Sequence, residues 1–214
     1  MPSGRAPALV SSHAILGGVR VLALLAALAF HAQVTPVPAT YHLTSWHPGC
    51  PVARGDLRLV TVTHWGFDRR VHTGRLVVAE QAAPAVIGAL RGLFATRFPI
   101  RRMQPVERYG ADDRRSMAAD NTSAFNCRRV EGSSSWSAHA YGLAIDINPV
   151  ENPYIREGRV LPRAGRAFLD RSRRRPGMIQ PGDAVVRAFA AVGWRWGGRW
   201  REPRDYQHFS ATGG

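Results

Sequence analysis

One short stretch of this chain constrains its fold more than any other feature. Residues 137–148 read Ser-Ala-His-Ala-Tyr-Gly-Leu-Ala-Ile-Asp-Ile-Asn. The alternation predicts a strand over 143–147 whose apolar side chains face a core, while Asp146 lies on the opposite face. Gly142 allows a sharp turn before this strand, so that His139 can lie beside Asp146. The stretch therefore predicts a packed strand that carries a polar site on its other face.

Length and composition indicate one globular domain with a short appendage. The chain has 214 residues, of which 45% are hydrophobic and 21% are charged. These values disfavour an intrinsically disordered chain, a collagen-like repeat and a multi-pass membrane protein. A domain of this size buries enough surface to fold without a metal. A bound metal would therefore serve chemistry.

The charge is strongly positive, and all 29 basic residues are arginines against 15 acidic residues, a net charge of +14. Clustered arginines bind phosphates, but these arginines are scattered, and the longest run is 173–175. The chain also lacks the motifs that read DNA or RNA. We therefore expect no nucleic-acid partner, and a weak attraction to anionic envelope polymers instead.

The amino terminus is typical of an export signal, predicted over residues 1–32. Arg5 and Arg20 precede an apolar run over 21–30, and small residues follow. The alternative is an uncleaved anchor, although the run is short for crossing a bilayer. Both interpretations place the rest of the chain outside the cytoplasm as a secreted, periplasmic or cell-wall-associated protein. Membrane contact is expected only through this segment, if it stays uncleaved.

Export would place the two cysteines, Cys50 and Cys127, outside the reducing cytoplasm. In an oxidising compartment they can form one disulfide. The alternative is a pair of unpaired, buried thiols. The spacing along the chain does not decide between the two.

The remaining patterns predict an α+β fold, a small antiparallel sheet with flanking helices. The domain is expected over 56–214, after an extended lead-in over 33–55. In chain order the patterns predict a hairpin (57–64 and 71–78), a helix (80–98), a strand (99–106), a long polar loop (107–135), the strand 143–147, an irregular segment (151–180), a helix ending near 192, an aromatic turn (193–200) and a last strand (208–210).

His139 and Asp146 form a partial ligand set for zinc, which needs a third protein ligand in catalytic sites. His208, on the last short strand, can supply that ligand. Asp205 precedes it by three residues and provides a carboxylate near the metal, as a zinc hydrolase needs for a general base. Each signal is weak alone, because a single histidine is more often structural than a ligand.

Together these residues resemble the signature of the zinc D-alanyl-D-alanine carboxypeptidase family, with VanY-like members. The resemblance covers about residues 50–210 and is carried by two motifs: Ser137-x-His139-x-x-Gly142-x-Ala144-x-Asp146 and Asp205-x-x-His208. It implies the small α+β fold that this family shares with the hedgehog signalling domain. It also implies one Zn²⁺ held by His139, Asp146 and His208, with Asp205 as the catalytic acid/base.

The resemblance further implies hydrolysis of peptidoglycan stem peptides by a D,D-carboxypeptidase, expected here as a monomer. One alternative is an endopeptidase that cuts L-alanyl-D-glutamate bonds. A second alternative is a catalytically silent cell-wall binding module of the same fold. The presence of Asp205 beside all three candidate ligands argues against the silent module.

Substrate binding follows the family pattern less closely, because the chain lacks the Gly-Tyr-Arg-like strand that usually holds the substrate carboxylate. Arg128 is the candidate for this role, with Arg101 and Arg102 as alternatives; Arg128 could instead belong to a structural ion pair. Ser137 either hydrogen-bonds the substrate or makes a local turn bond.

The tryptophans of the aromatic turn have two interpretations. They either fill the core and the sheet edge, or one of them forms a wall of the peptide cleft: Trp194, Trp196 and Trp200. The hairpin histidines, His64 and His72, are assigned no metal role.

Overall fold

The computed structural model of the protein describes residues 29–213. Most of the predicted export signal, residues 1–28, lies outside the described residues. Within the described range, no helix combines the length and apolar character needed to cross a membrane. The lead-in is not simply extended chain, because the first strand, β1 (Ala32–Pro36), begins at the last residue of the predicted signal.

The predicted hairpin is confirmed and belongs to a three-stranded antiparallel sheet. Strand β2 (Leu57–Trp65) pairs along its whole length with β3 (Val71–Ala79), and β1 adds to the other side of β2. Valines and leucines that alternate along β2 and β3 are buried, which fixes the register because a slip of one residue would expose them.

Three α-helices lie in the described part of the chain. Helix α1 (Ala83–Ala95) and helix α3 (Ala184–Ala191) match the two predicted helices, and they pack closely where Gly92 of α1 faces Ala188. Helix α2 (Asp113–Ala118) lies in the segment predicted as loop. This short helix is too brief to show a helical period, and it is capped when the Asp112 side chain accepts a hydrogen bond from an amide of its first turn.

The remaining strands are short and form small sheets. They are β4 (Arg102–Met103), β5 (Asn121–Thr122), β6 (Ala144–Asp146), β7 (Tyr154–Arg156), β8 (Arg159–Leu161), β9 (Arg195–Trp196), β10 (Arg204–Asp205) and β11 (His208–Ser210). Strand β11 lies between β6 and β9, and β7 lies between β10 and β8, all antiparallel; β4 and β5 form a two-stranded parallel pair. The architecture is mixed helix and sheet with small antiparallel sheets, compatible with the α+β prediction.

The core lies between the helices and the sheets and holds the central strands in place. Ile145 of β6 and Phe209 of β11 are fully buried, and the Phe209 ring stacks on Phe189 of α3 at 4.1 Å between centroids. Burying a side chain of this kind stabilises a fold by about 1.5–3 kcal/mol. The apolar faces of β6 and β11 therefore anchor the strands whose opposite faces carry Asp146 and His208.

Cys50 and Cys127 form a disulfide, which decides between the two alternatives left by the sequence. The bond joins the lead-in to the residue before Arg128 and closes a loop with a sequence separation of 77. On the chain-entropy model such a loop stabilises the fold by about 4 kcal/mol. The disulfide therefore fixes the lead-in against the segment that carries Arg128.

Two carboxyl groups form a buried pair, Asp120 and Glu151, the latter in the loop that follows β6. Glu151 is 3% exposed and Asp120 is 7% exposed. Burial, together with the neighbouring Asp120 carboxylate, raises the pKa of Glu151 to about 8, although Arg101 opposes the shift. Arg101 lies 3.5 Å from Asp120 and 3.6 Å from Glu151. Glu151 therefore keeps its proton in the folded protein at neutral pH.

We expect the stability of the protein to fall as the pH rises toward about 8. The folded state holds a proton on Glu151 that the unfolded chain releases above its ordinary pKa of 4.5, so folding binds a proton between these values. The contribution of this proton to the free energy of unfolding is complete below pH 4.5 and is lost as the pH rises through about 8. Between these values the free energy of unfolding falls by up to about 1.4 kcal/mol per pH unit. Glu151→Gln should remove this slope in urea unfolding titrations, and an unchanged slope would contradict the assignment.

Candidate metal centre and cleft

Three sequence-distant side chains meet on one side of the β6–β11 pair. The antiparallel register places Asp146 directly opposite His208, so these two side chains lie on the same face. His139 comes from a single helical turn, Ala138–Tyr141, that leads into β6. The pairing of two short strands and one turn therefore assembles the predicted ligand set.

Gly142 makes the turn between His139 and β6 possible. Its φ of 67° is in the left-handed region, where residues with a side chain are disfavoured. A Cβ atom at this position would lie 2.4 Å from the backbone nitrogen of Ala79, which donates a hydrogen bond to the Gly142 carbonyl. The close approach to β3 leaves no room for any other residue.

The three candidate ligand atoms are close together and buried. His139 Nε2 lies 3.2 Å from His208 Nδ1 and 3.2 Å from Asp146 Oδ2. His208 Nδ1 lies 3.1 Å from Asp146 Oδ1. The three residues are only 3–6% exposed. The arrangement is one that could hold a metal ion.

The surroundings orient His139 for ligation. Its Nδ1 lies 2.6 Å from the carbonyl oxygen of Ala124. A carbonyl oxygen only accepts hydrogen bonds, so Nδ1 carries the proton and donates it. The lone pair of a neutral His139 is then on Nε2, the atom that faces Asp146 and His208. A hydrogen bond of this kind to the second ring nitrogen is typical of histidines that bind metals.

The charges at the centre favour an ionised Asp146. Burial alone would raise the pKa of Asp146, but the charge and hydrogen bond of His139, with those of His208, outweigh it and hold the pKa far below its usual range. Burial lowers the pKa of His208 despite its bond to Asp146. For His139, burial is outweighed by the Asp146 carboxylate, so that its pKa is raised. A carboxylate and a neutral His208 are the protonation states that a cation requires.

Asp205 lies beside this centre without joining it. Strand β10 carries Asp205, which is 8% exposed, and its Oδ1 is buried with no hydrogen-bond partner in the described structure. Burial, reinforced by the charge of Asp146, raises its pKa well above the usual range. Gly197 packs against it, since a Cβ there would lie 2.8 Å from the Asp205 carbonyl oxygen. A buried carboxyl group with a free oxygen is suited to proton transfer.

The three residues of the centre line a cleft with a volume of about 470 Å³. Asp205, Arg128 and Ser137 all line this cleft with the three candidate ligands. Trp200 forms part of its wall, with its ring 5.3 Å from the ring of His208. The cleft is large enough for a short peptide.

The three arginines considered for binding the substrate carboxylate lie in different surroundings. Arg128 lines the cleft and also forms an ion pair with Asp113 at 3.0 Å, so the structural ion pair is present and the residue borders the space in which a substrate would lie. Arg101 pairs with the buried carboxyl groups described above, and Arg102 bonds the Ala119 carbonyl; neither lines the cleft. Of the three arginines, only Arg128 is placed to meet a ligand there.

The other predicted residues have local roles. Ser137 accepts a hydrogen bond from the His139 backbone nitrogen at 3.3 Å, which is the local turn bond, and its side chain also borders the cleft. Trp194 and Trp196 are 5% and 4% exposed and belong to the core, unlike Trp200. The hairpin histidines face each other across β2 and β3, away from the centre.

Sequence reasoning missed the cleft residues that belong to helix α2 and the loop after Arg128. Asp113 holds Arg128, and Arg114 pairs with Glu131 at 2.8 Å at the rim of the cleft. The acidic pair at 112–113 was visible as a helix start only through its capping pattern. Nothing in the sequence linked it to Arg128.

The fold and the centre define a class: a mixed helix-and-sheet protein in which two buried histidines and one buried aspartate that could hold a metal ion line a peptide-sized cleft. Residues 131–211 match a family model described as D-alanyl-D-alanine carboxypeptidase. This match confirms the resemblance to that family over the segment that contains His139, Asp146, Asp205 and His208, and it supports a peptidase of this kind. Neither a search of curated proteins nor one of solved structures gave a match for the chain.

Proposed function

We propose that the protein is an exported zinc peptidase that removes the terminal D-alanine from peptidoglycan stem peptides. One observation carries the proposal: a buried ligand triad lies beside an unpartnered carboxyl group, within the segment that matches the carboxypeptidase family. The Cys50–Cys127 disulfide supports export, because such bonds persist mainly outside the reducing cytoplasm.

The ligand triad fits zinc. Ligand atoms about 2.0 Å from a tetrahedral zinc ion are separated by about 3.3 Å. The two histidine nitrogens, His139 Nε2 and His208 Nδ1, lie 3.2 Å apart, and each lies 3.1–3.2 Å from a different oxygen of Asp146; these separations are close to this value. Two neutral imidazoles and one carboxylate would leave a zinc site with one net positive charge and one open position, as in catalytic zinc sites.

In amide hydrolysis, a bound zinc ion and Asp205 would have different roles. When bound, zinc would polarise the scissile carbonyl and make water more acidic. Asp205 would accept the proton of the attacking water and pass it to the departing amine. Its buried Oδ1 has no competing partner in the described structure, so this oxygen is free to receive that proton.

Arg128 would bind the terminal carboxylate of the substrate. Asp113 pairs with one terminal nitrogen of the Arg128 guanidinium. The Arg128 side chain lines the cleft and is 33% exposed, which leaves the rest of the guanidinium for a substrate. An arginine fork binds a carboxylate through two hydrogen bonds. The Asp113 ion pair would orient the fork before the substrate arrives, which lowers the ordering cost of binding.

Arg128→Gln is expected to lower kcat/KM by about 10- to 100-fold on a stem peptide with a free carboxyl terminus, because a charged hydrogen bond is lost. A peptide with an amidated carboxyl terminus should be cut slowly by both proteins, with no further loss in the variant. Arg114→Gln is the matched control, since Arg114 lines the same cleft but pairs with Glu131. Equal losses on both peptides would contradict a carboxylate-binding role.

Mass spectrometry of muropeptides after digestion tests the reaction itself. Loss of one terminal alanine from pentapeptide stems is the expected result. An internal cut between L-alanine and D-glutamate would replace the proposal by the endopeptidase. The absence of any product with zinc-loaded protein would support a silent binding module.

A further inference from the structure

A second concave surface lies away from the cleft, and we name it the arginine groove. It lies between three chain segments, 65–69, 96–99 and 174–178. It consists of two cavities of about 500 and 300 Å³ that share Arg97, Pro99 and Pro176 as lining residues. None of the residues that line either cavity lines the cleft of the metal centre.

The lining of the arginine groove is strongly positive. Its basic residues are Arg69, Arg97, Arg174 and Arg175, all exposed. Its one carboxylate is Asp183, whose two oxygens accept hydrogen bonds from the backbone nitrogens of Gln180 and Val186 at 2.8 and 3.0 Å. The acid is therefore engaged in capping helix α3, and it does not neutralise the arginines.

None of these four guanidinium groups has a carboxylate partner in the described part of the chain. Among the described residues many exposed arginines form ion pairs, but Arg69, Arg97 and Arg174 form none, and Arg175 bonds only the Ala167 carbonyl and lies over the Phe168 ring. Unpaired guanidinium groups that line one groove repel one another, which weakens the fold unless an anion binds between them. The groove thus has the charge to receive several anionic groups.

The backbone and the Trp65 ring hold two of the groove arginines in place. Arg69 and Arg97 have φ angles of 60° and 54°, a left-handed conformation that costs a residue with a side chain about 1–2 kcal/mol. The Arg97 guanidinium lies 5.1 Å from the centre of the Trp65 ring, and that indole donates a hydrogen bond to the Phe94 carbonyl. The arginine is therefore held over a fixed ring.

We propose that the arginine groove binds a phosphodiester-linked glycopolymer of the cell envelope. Guanidinium groups bind phosphate oxygens through paired hydrogen bonds, and a row of them suits a polymer with regularly repeated charges. Nucleic acid has the same phosphates, but the Cys50–Cys127 disulfide favours a compartment that lacks it. The groove would hold the enzyme on the wall while the separate cleft stays open to peptides. The choice of partner rests on the export that we propose, whereas the binding itself does not.

The test measures binding of a fluorescent poly(glycerol phosphate) to the full chain at several salt concentrations. The groove variant combines Arg69→Gln, Arg97→Gln and Arg174→Gln. The matched control removes three exposed arginines that line neither the groove nor the cleft, namely Arg75→Gln, Arg163→Gln and Arg195→Gln. Both variants lose the same charge, so a difference between them reports the groove.

The groove variant should bind at least about 10-fold more weakly than the control at moderate salt, and the slope of log affinity against log salt should fall by about 2. Peptidase activity on a soluble stem peptide should remain unchanged in both variants, which also shows that they fold. Equal binding by the two variants would contradict the proposal that the arginine groove binds the polymer. Tighter binding of a single-stranded oligodeoxythymidylate would overturn the choice of a glycopolymer. A chain without peptidase activity that binds the polymer would contradict only the proposed function.

Discussion

His139→Gln is expected to abolish stoichiometric zinc binding, and His208→Gln should do the same. Each change removes a ligand from a set of three whose atoms lie 3.1–3.2 Å apart. Loss of a residue that merely supports a ligand weakens metal binding by about 10- to 100-fold, so loss of the ligand should exceed this range. The measurement is zinc per chain after dialysis, together with a competition titration against a chelator.

His72→Gln is the matched control for these variants. His72 lies on strand β3, outside the metal centre, and its Nε2 pairs with Asp68 at 2.9 Å. This variant should keep one zinc per chain. Thermal unfolding with and without zinc separates the loss of a ligand from the loss of the fold, because zinc should stabilise only the unmodified protein and the control. Stoichiometric zinc in both His139→Gln and His208→Gln would refute the site.

Asp205→Asn should keep the zinc and lose turnover by a factor of about 100 to 10,000, the usual scale for a general acid/base. Asparagine has nearly the same shape, so it can occupy the same buried position beside Gly197. It cannot take up the proton that the reaction requires. The measurement is kcat on a stem peptide with zinc content determined on the same sample.

Glu202→Gln is the control for Asp205, because both residues line the same cleft. Glu202 already accepts a hydrogen bond from the backbone nitrogen of Glu157 at 3.0 Å, whereas Asp205 Oδ1 has no partner in the described structure. The Glu202 variant should retain most of the activity. An unaffected Asp205 variant together with an inactive Glu202 variant would transfer the acid/base role to Glu202.

Much of the local structure could be predicted because its signals lie within a few residues of one another. The hairpin of β2 and β3 follows from alternating apolar residues on each side of a turn, and it was predicted nearly to its ends. Helix α1 follows from one apolar face before Pro99. Helix α2 could not be predicted from its pattern, because six residues are too few to show a period.

The relations between distant residues could not be predicted in the same way. The Asp113–Arg128 ion pair joins a short helix to a loop, and the arginine groove joins three separate segments. Neither the ion pair nor the groove can be recognised from the spacing of residues along the chain. Both depend on how the helices and sheets pack, and packing is decided by the burial of many side chains together.

The amino-acid sequence by itself determined the residue types of the centre, namely two histidines and an aspartate that could hold a metal ion and a second aspartate, Asp205, that lines the same cleft. Their residue types and the turn at Gly142 are local properties of the chain. Only the tertiary structure decided that these groups meet, because Asp146 and His208 are brought opposite each other by the antiparallel pairing of β6 with β11. That register is set by the burial of Ile145 and Phe209 on the other face, since a slip of one residue in either strand would turn its polar side chain, Asp146 or His208, toward the core.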